Sequence, residues 1–199
     1  MKNMIISAIS LLSAALLSVG IPTEAEARIY DDTVRLHILA DSDSKEDQGL
    51  KLCVRDRILA DFGTELSDAK GKEDALDRIT SLLPDIESAA RDELSAQGSY
   101  LPVSASVSTE WYDTRDYGDF SLPAGFYSSL RVIIGSGEGQ NWWCVMYPPL
   151  CTELACERAP ADDGLIGYTD AEIALISGET YSVKFRMLEI VSRAFYKKG

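Results

Sequence analysis

One histidine, four cysteines and 19 basic residues against 32 acidic ones are all that this chain of 199 residues offers of three reactive classes. Each scarcity excludes something. A single imidazole rules out a His-rich catalytic metal centre, and leaves a closed zinc site conceivable only through the cysteines. A formal net charge of -13 is the wrong sign for nucleic acid, which needs a basic face, and it disfavours adsorption to anionic lipid. No Walker Lys-Ser/Thr pair follows a glycine loop, and no serine sits in a nucleophile elbow. The expectation is a chain with no cofactor, no metal, no nucleic-acid partner and no small-molecule substrate, a binder rather than an enzyme. What is present, 46% hydrophobic and 26% charged residues, is enough for one folded domain.

Lys2 precedes a Ser-diluted apolar run from Ile5 to Ile21 that Pro22 ends. Ala25-Glu26-Ala27 then puts small side chains at the two positions that a signal peptidase reads. Residues 1–27 are therefore expected to be a signal peptide cleaved after Ala27, or, uncleaved, an N-terminal anchor through residues 5–21, near the lower limit for spanning. On either reading 28–199 form a single exported domain, in a compartment where disulfides are chemically reasonable.

Val34, Leu36 and Ile38 alternate with Arg35, His37 and Leu39, the period of a half-buried strand. Asp41-Ser42-Asp43-Ser44 offers helix caps, with Glu46 and Asp47 suited to a helix N-terminus. Leu50, Cys53, Val54, Ile58 and Phe62 then make one helical stripe, predicted to stop at Gly63. A second helical segment begins near Lys72 with Leu76, Ile79 and Leu83 inward; Pro84 must kink it or open a new helix. Ile86, Ala90 and Leu94 continue the stripe to Gly98. From Leu101 the texture is that of strands: Val103 to Tyr112, Leu130 to Ile134 and Asn141 to Met146, with a turn-rich link over 117–127. The fold class is α+β, an antiparallel sheet with the N-terminal helices packed on one face. Residues 152–178 read as a mobile excursion and Val183 to Tyr196 as a closing helix.

The candidate chemistry is thin. Gly135, Gly137 and Gly139 lie between two strands, so they read as a hairpin loop rather than a phosphate cradle. Asp41, Asp43 and Asp47 resemble the start of a calcium loop but lack its central Gly and terminal Glu, which favours capping. His37, on the polar register of its strand with no identifiable nucleophile, reads as a surface residue. Four cysteines allow three connectivities; Cys144 with Cys151, flanking Pro148 and Pro149, is the favoured disulfide, leaving Cys53 on the core face of a helix and Cys156 without an assigned partner. Trp142 and Trp143, adjacent in a strand, point to opposite faces. An exposed indole beside rigid prolines has the composition of a protein-binding hot spot, and burial of both rings is the equal alternative.

Asn141-Trp142-Trp143-Cys144-Val145, followed by Pro148-Pro149-Leu150-Cys151, resembles a stretch of the stage II sporulation protein R family. Leu36 to Asp43 with Asp47-Gln48 and Val54-Arg55-Asp56 fit the same family, as do Tyr117-Gly118, Leu122-Pro123-Ala124-Gly125-x-Tyr127 and Leu130 to Gly139. Asp41 departs from the pattern, standing where Asn is expected. The resemblance implies an exported signalling protein of endospore-forming Firmicutes, made in the forespore and sent into the space between forespore and mother-cell membranes. There it implies a partner, the extracytoplasmic face of a membrane-embedded aspartic protease of the mother cell, whose activation leads to cleavage of the pro-sequence of sigma factor E. Trp142, Trp143, Pro148 and Pro149 are the expected contact residues. Two rival classes are an extracytoplasmic cell-wall hydrolase using Asp41 and Asp43, and a structural envelope protein kept soluble by its acidic surface.

Overall fold

In a computed structural model of the chain, residues 24–117 and 121–148 are described, with Ser7, Thr169 and Glu172 as single positions. The expected signal or anchor, the excursion, the closing helix, Pro149, Cys151 and Cys156 lie outside the described residues, apart from those single positions and residues 24–27. The elements are α1 (Glu24–Asp32), β1 (Val34–Leu39), α2 (Lys45–Ser67), α3 (Lys72–Ala96), β2 (Val103–Tyr112), β3 (Arg115–Asp116), β4 (Ser121–Leu122), β5 (Gly125–Ile134) and β6 (Asn141–Tyr147). α1 runs through Ala27, the residue after which cleavage is expected. No helix among the described residues is long and apolar enough to cross a membrane.

Two compact units divide the chain. The larger holds Tyr30–Glu110 and the described residues 126–148, and it contains the core. β1 starts it: Leu36 and Ile38, one side of the alternation, are fully buried beside Val54, Ile58, Ile79, Ile86 and Leu94. Ser44 caps α2 by accepting from the Asp47 N–H at 3.0 Å, as the S-x-x-D spacing requires. α2 does not end at Gly63. Leu66, four residues after Phe62, extends the stripe and is fully buried, so apolar burial carries the helix on to Ser67. α3 likewise runs unbroken through Pro84. Pro84 is exposed, and Ala75, Ile79, Ile86, Ala90 and Leu94 keep one face buried on both sides of it. Gly98, at φ 79°, takes the left-handed turn that ends the segment.

The sheet has four strands in the order β2-β5-β1-β6. β1 pairs with β6 antiparallel, placing Leu36 beside Cys144, His37 beside Trp143 and Ile38 beside Trp142. Its other neighbour, β5, is parallel, with Leu36 beside Leu130 and Ile38 beside Val132. The α+β class with helices against one face matches the expectation from sequence; the sheet is mixed, because β1 inserts between two strands from the second half of the chain. For the same reason 135–140 is not a hairpin loop. It carries the chain over the C-terminal end of β1, from β5 on one side to β6 on the other.

The smaller unit comprises the described residues up to Ile29, 111–125, and Thr169 with Glu172. In it β3 and β4 pair antiparallel, Arg115 beside Leu122. Thr169 and Glu172 form a reciprocal cap, the Thr169 N–H donating to the Glu172 carboxylate at 2.5 Å.

Candidate functional site

β6 carries Trp142 and Trp143, and Pro148 follows its end. Trp142 turns toward the helices, half-buried against the core, with the Arg55 guanidinium 4.9 Å from its ring centroid. Trp143 lies on the opposite face and stacks on His37, centroids 3.8 Å apart and planes 18° from parallel. Both indoles are half-buried, so neither stands clear as a free anchor. Cys144 is buried and disulfide-bonded, and Cys53 is a free thiol. Pro148 is buried after a cis Tyr147–Pro148 bond.

The sheet face away from the helices carries a polar cluster that sequence reasoning missed. His37 is not on the surface: it is 5% exposed, its Nδ1 2.7 Å from a carboxylate oxygen of Glu110. Arg131 approaches the other oxygen of that carboxylate at 3.3 Å, and Ser129 donates to the oxygen that His37 binds, at 3.3 Å. Burial pushes the Glu110 carboxyl up, but His37, Arg131 and Ser129 together outweigh it and hold the group below its ordinary range. Further along the face Arg35, fully buried, lies 5.0 Å from the Tyr127 ring centroid. The one signal in the sequence was parity: Arg35 and His37 share a strand face, as do Ser129 and Arg131. What the alternation does not reveal is that this face is covered.

The chemistry of the cluster follows from its order. His37 and Ser129 both bind the same oxygen of Glu110, so the carboxylate stands between imidazole and hydroxyl. A hydrolytic relay needs the imidazole in the middle, taking the serine proton while the acid orients it. The observed order does not assemble that relay; it ties three strands, β1, β2 and β5, to one carboxylate.

A second cluster sits where the parallel strands β1 and β5 end. In open α/β sheets this end, with a helix N-terminus beside it, is where ligands bind. Here the chain fills it with its own anions. Asp41 accepts from the Ser136 N–H at 2.5 Å and Asp43 from the Gln140 N–H at 2.7 Å. Ser42 and Ser44 both donate to the Asp47 carboxylate, Ser44 at 2.9 Å, and these bonds hold it below the ordinary carboxylate range. Lys51, 4% exposed, donates to Gln48 at 2.5 Å and to the Gln140 carbonyl at 2.9 Å. Burial pushes its ammonium down, Asp43 opposes the fall and Arg55 adds to it.

Two glycines let the crossing loop sit this close. A Cβ on Gly135, at φ 62°, would fall 2.1 Å from the Asp41 carboxylate, and one on Gly139 2.3 Å from the Ser42 carbonyl. Asp41 and Asp43, the candidate acids of a hydrolase, are thus pins between the loop after β1 and the crossing loop. Among the described residues no group of His, Cys, Asp or Glu is arranged to hold a metal ion.

Both clusters lie inside residues 30–156, which match the protein family described as Stage II sporulation protein R. The Stage II sporulation protein R of Bacillus subtilis (strain 168) is 38% identical over 149 residues, a stretch that covers 71% of this chain and 66% of that protein. The chain thus spans just under two thirds of its relative's length. No solved structure matches. With the family match running through β1, α2, α3, the sheet and the Trp-Trp-Cys strand, the chain belongs to the Stage II sporulation protein R family.

Proposed function

We propose that this protein is a sporulation signal: made in the forespore, exported into the space between the forespore and mother-cell membranes, and there an activator of a membrane-embedded aspartic protease that processes the precursor of sigma factor E. The observation that carries the proposal is the family match over residues 30–156. Two features of the geometry support a ligand over a catalyst. The end of the sheet at which α/β folds take ligands is filled by Asp41, Asp43 and Asp47, and the His37–Glu110–Ser129 group has the carboxylate in the wrong place for a relay.

In this reading the domain binds the extracytoplasmic face of the protease and favours its active conformation by binding it more tightly than the inactive one. The contact region is β6 and the residues after it, Trp142, Trp143, Pro148 and Pro149, with a Cys144–Cys151 disulfide fixing the proline segment. The apolar run over 5–21 serves export, either as a removed signal or as an anchor.

Reconstitution tests the proposal. The chain, routed for export, is produced with the protease and the sigma-factor precursor in a non-sporulating host. Cleavage of the precursor that depends on this chain is the expected result. Absence of cleavage with all three proteins present, and the domain folded and exported, would overturn it.

A further inference from the structure

The outer edge of β2 lacks the devices that normally prevent strands from pairing across molecules. Among the described residues β2 is the last strand in the sheet order, it is ten residues long, and Val103 to Thr109 contains no charge and no proline. Its side chains are not hidden: Ser104, Ser106 and Thr109 are exposed, and Ala105 and Val107 half-buried. Among the described residues, one side chain reaches its backbone from outside the sheet. The Ala105 N–H donates to Glu87 of α3 at 2.9 Å. By the two-residue period, the backbone groups of Val103 and Val107 face the same outer side.

We propose that this edge is a pairing site for a second copy of the chain, and that Glu87 guards it by occupying the Ala105 N–H.

The choice of a second copy rests on the strand itself. Val103-Ser104-Ala105-Ser106-Val107 reads the same in both directions. An antiparallel pair centred on Ala105 sets residue 103 of each copy opposite 107 of the other and 104 opposite 106, and because the segment is palindromic these pairs are Val with Val and Ser with Ser, with Ala105 on the two-fold axis. Such an interface is isologous by construction. The helix side of the edge is suited to closure too. Leu83, one turn before Glu87 on α3, is half-buried like Ala105 and Val107, and a second copy presents the same apolar strip to cover them.

Charge is compatible as well. Glu87 forms an ion pair with Arg91 at 3.3 Å, one turn along. Arg91 thus balances the Glu87 carboxylate within its own copy, so the pair brings no uncompensated charge of one sign to the edge. The Ala105 N–H, with help from Arg91 and against a small cost of burial, holds the Glu87 carboxyl below its ordinary range, so the guard stays charged at neutral pH.

Sedimentation velocity on the full chain, in a mild detergent that shields its apolar N-terminus, tests the proposal. Wild-type chain is expected to associate weakly, with dimer rising with concentration. Glu87→Ala should tighten the dimer about ten-fold or more, since a bond to a charged group no longer competes for the central N–H. Adding Ala105→Pro to Glu87→Ala should return the chain to monomer with an unchanged circular dichroism spectrum, because proline is tolerated where the N–H faces away from the sheet. Should that variant unfold, Ser104→Lys with Ser106→Lys sets like charges opposite one another across the pair at exposed positions, and should give monomer. In hydrogen exchange, the Val103 and Val107 amides should gain protection as wild-type concentration rises. A Glu87→Ala chain that stays monomeric to its solubility limit, or a dimer that survives both the proline and the lysine variants, would overturn the proposal.

Discussion

On one face of the sheet Leu36, Ile38, Leu130, Val132 and Cys144 meet α2 and α3; on the other, one residue along each strand, lie Arg35, His37, Arg131, Ser129 and Glu110. Both faces are buried over β1, yet they are held differently. The apolar face needs only side chains of the right volume, and many sequences would fill it. The polar face is satisfied only when partners on separate strands meet, because buried polar groups that lose their bonds are expensive. The first face supplies stability; the second selects one register, since sliding β1 by a residue would bring Arg35 and His37 against Ile58 and Ile79.

Substitutions can break this contrast. The largest effect is expected on the apolar face: Leu36→Ala should cost about 2–5 kcal/mol, lost transfer plus a cavity between α2 and the sheet, measured by chemical denaturation at unchanged m-value. Glu110→Ala should cost about 1–3 kcal/mol, because it takes the carboxylate partner from His37, the ion pair from Arg131 and one acceptor from Ser129. It should also disturb the stacking of His37 on Trp143, read in indole fluorescence, which Leu36→Ala leaves in place.

The polar face carries a pH signature as well. The Glu110 carboxyl is held below its ordinary value of 4.5. A group depressed in the folded state contributes stability that is present above its unfolded pKa and is lost as pH falls through its folded pKa. Part of the stability of wild-type chain should therefore disappear on acidification below about pH 4.5, and Glu110→Gln should remove that component from the slope. An unchanged slope would mean that Glu110 is not ionised differently in the two states. Asp43→Ala, which frees the Gln140 N–H, and Ser44→Ala, which uncaps α2, should each cost about 1 kcal/mol, the smallest effects. Hydrogen exchange should confine the first to the crossing loop and the second to the first turn of α2.

Legibility in the sequence follows the same division. The apolar face could be read directly: Leu36 and Ile38 by alternation, Val54 and Ile58 by helical spacing, Ser44 by its position before Asp47. Two local signals misled. Gly63 has the look of a helix end, but a glycine inside a helix and one after it are the same letter, and only the burial of Leu66 decides between them. The glycines at 135, 137 and 139 have the look of a hairpin, but the strand that separates β5 from β6 is β1, about a hundred residues earlier in the chain, and no local pattern encodes that. His37 was misplaced for a related reason. Its face could be assigned by parity, whereas its carboxylate, on β2, could not. Of the candidate contact residues, the opposite orientations of Trp142 and Trp143 were legible, and their stacking partners, Arg55 and His37, were not.

The central place of β1 also sets the order in which the molecule can be completed. β1 contributes six buried residues in a row, and both of its neighbours, β5 and β6, come from beyond residue 124. A chain emerging from its N-terminus can form α2 and α3 early, from local contacts, but its most deeply buried strand must wait until residue 147 has arrived. Until then the strand is held open by nothing but the length of chain still to come, which keeps the domain short of its native sheet for as long as it is being synthesised.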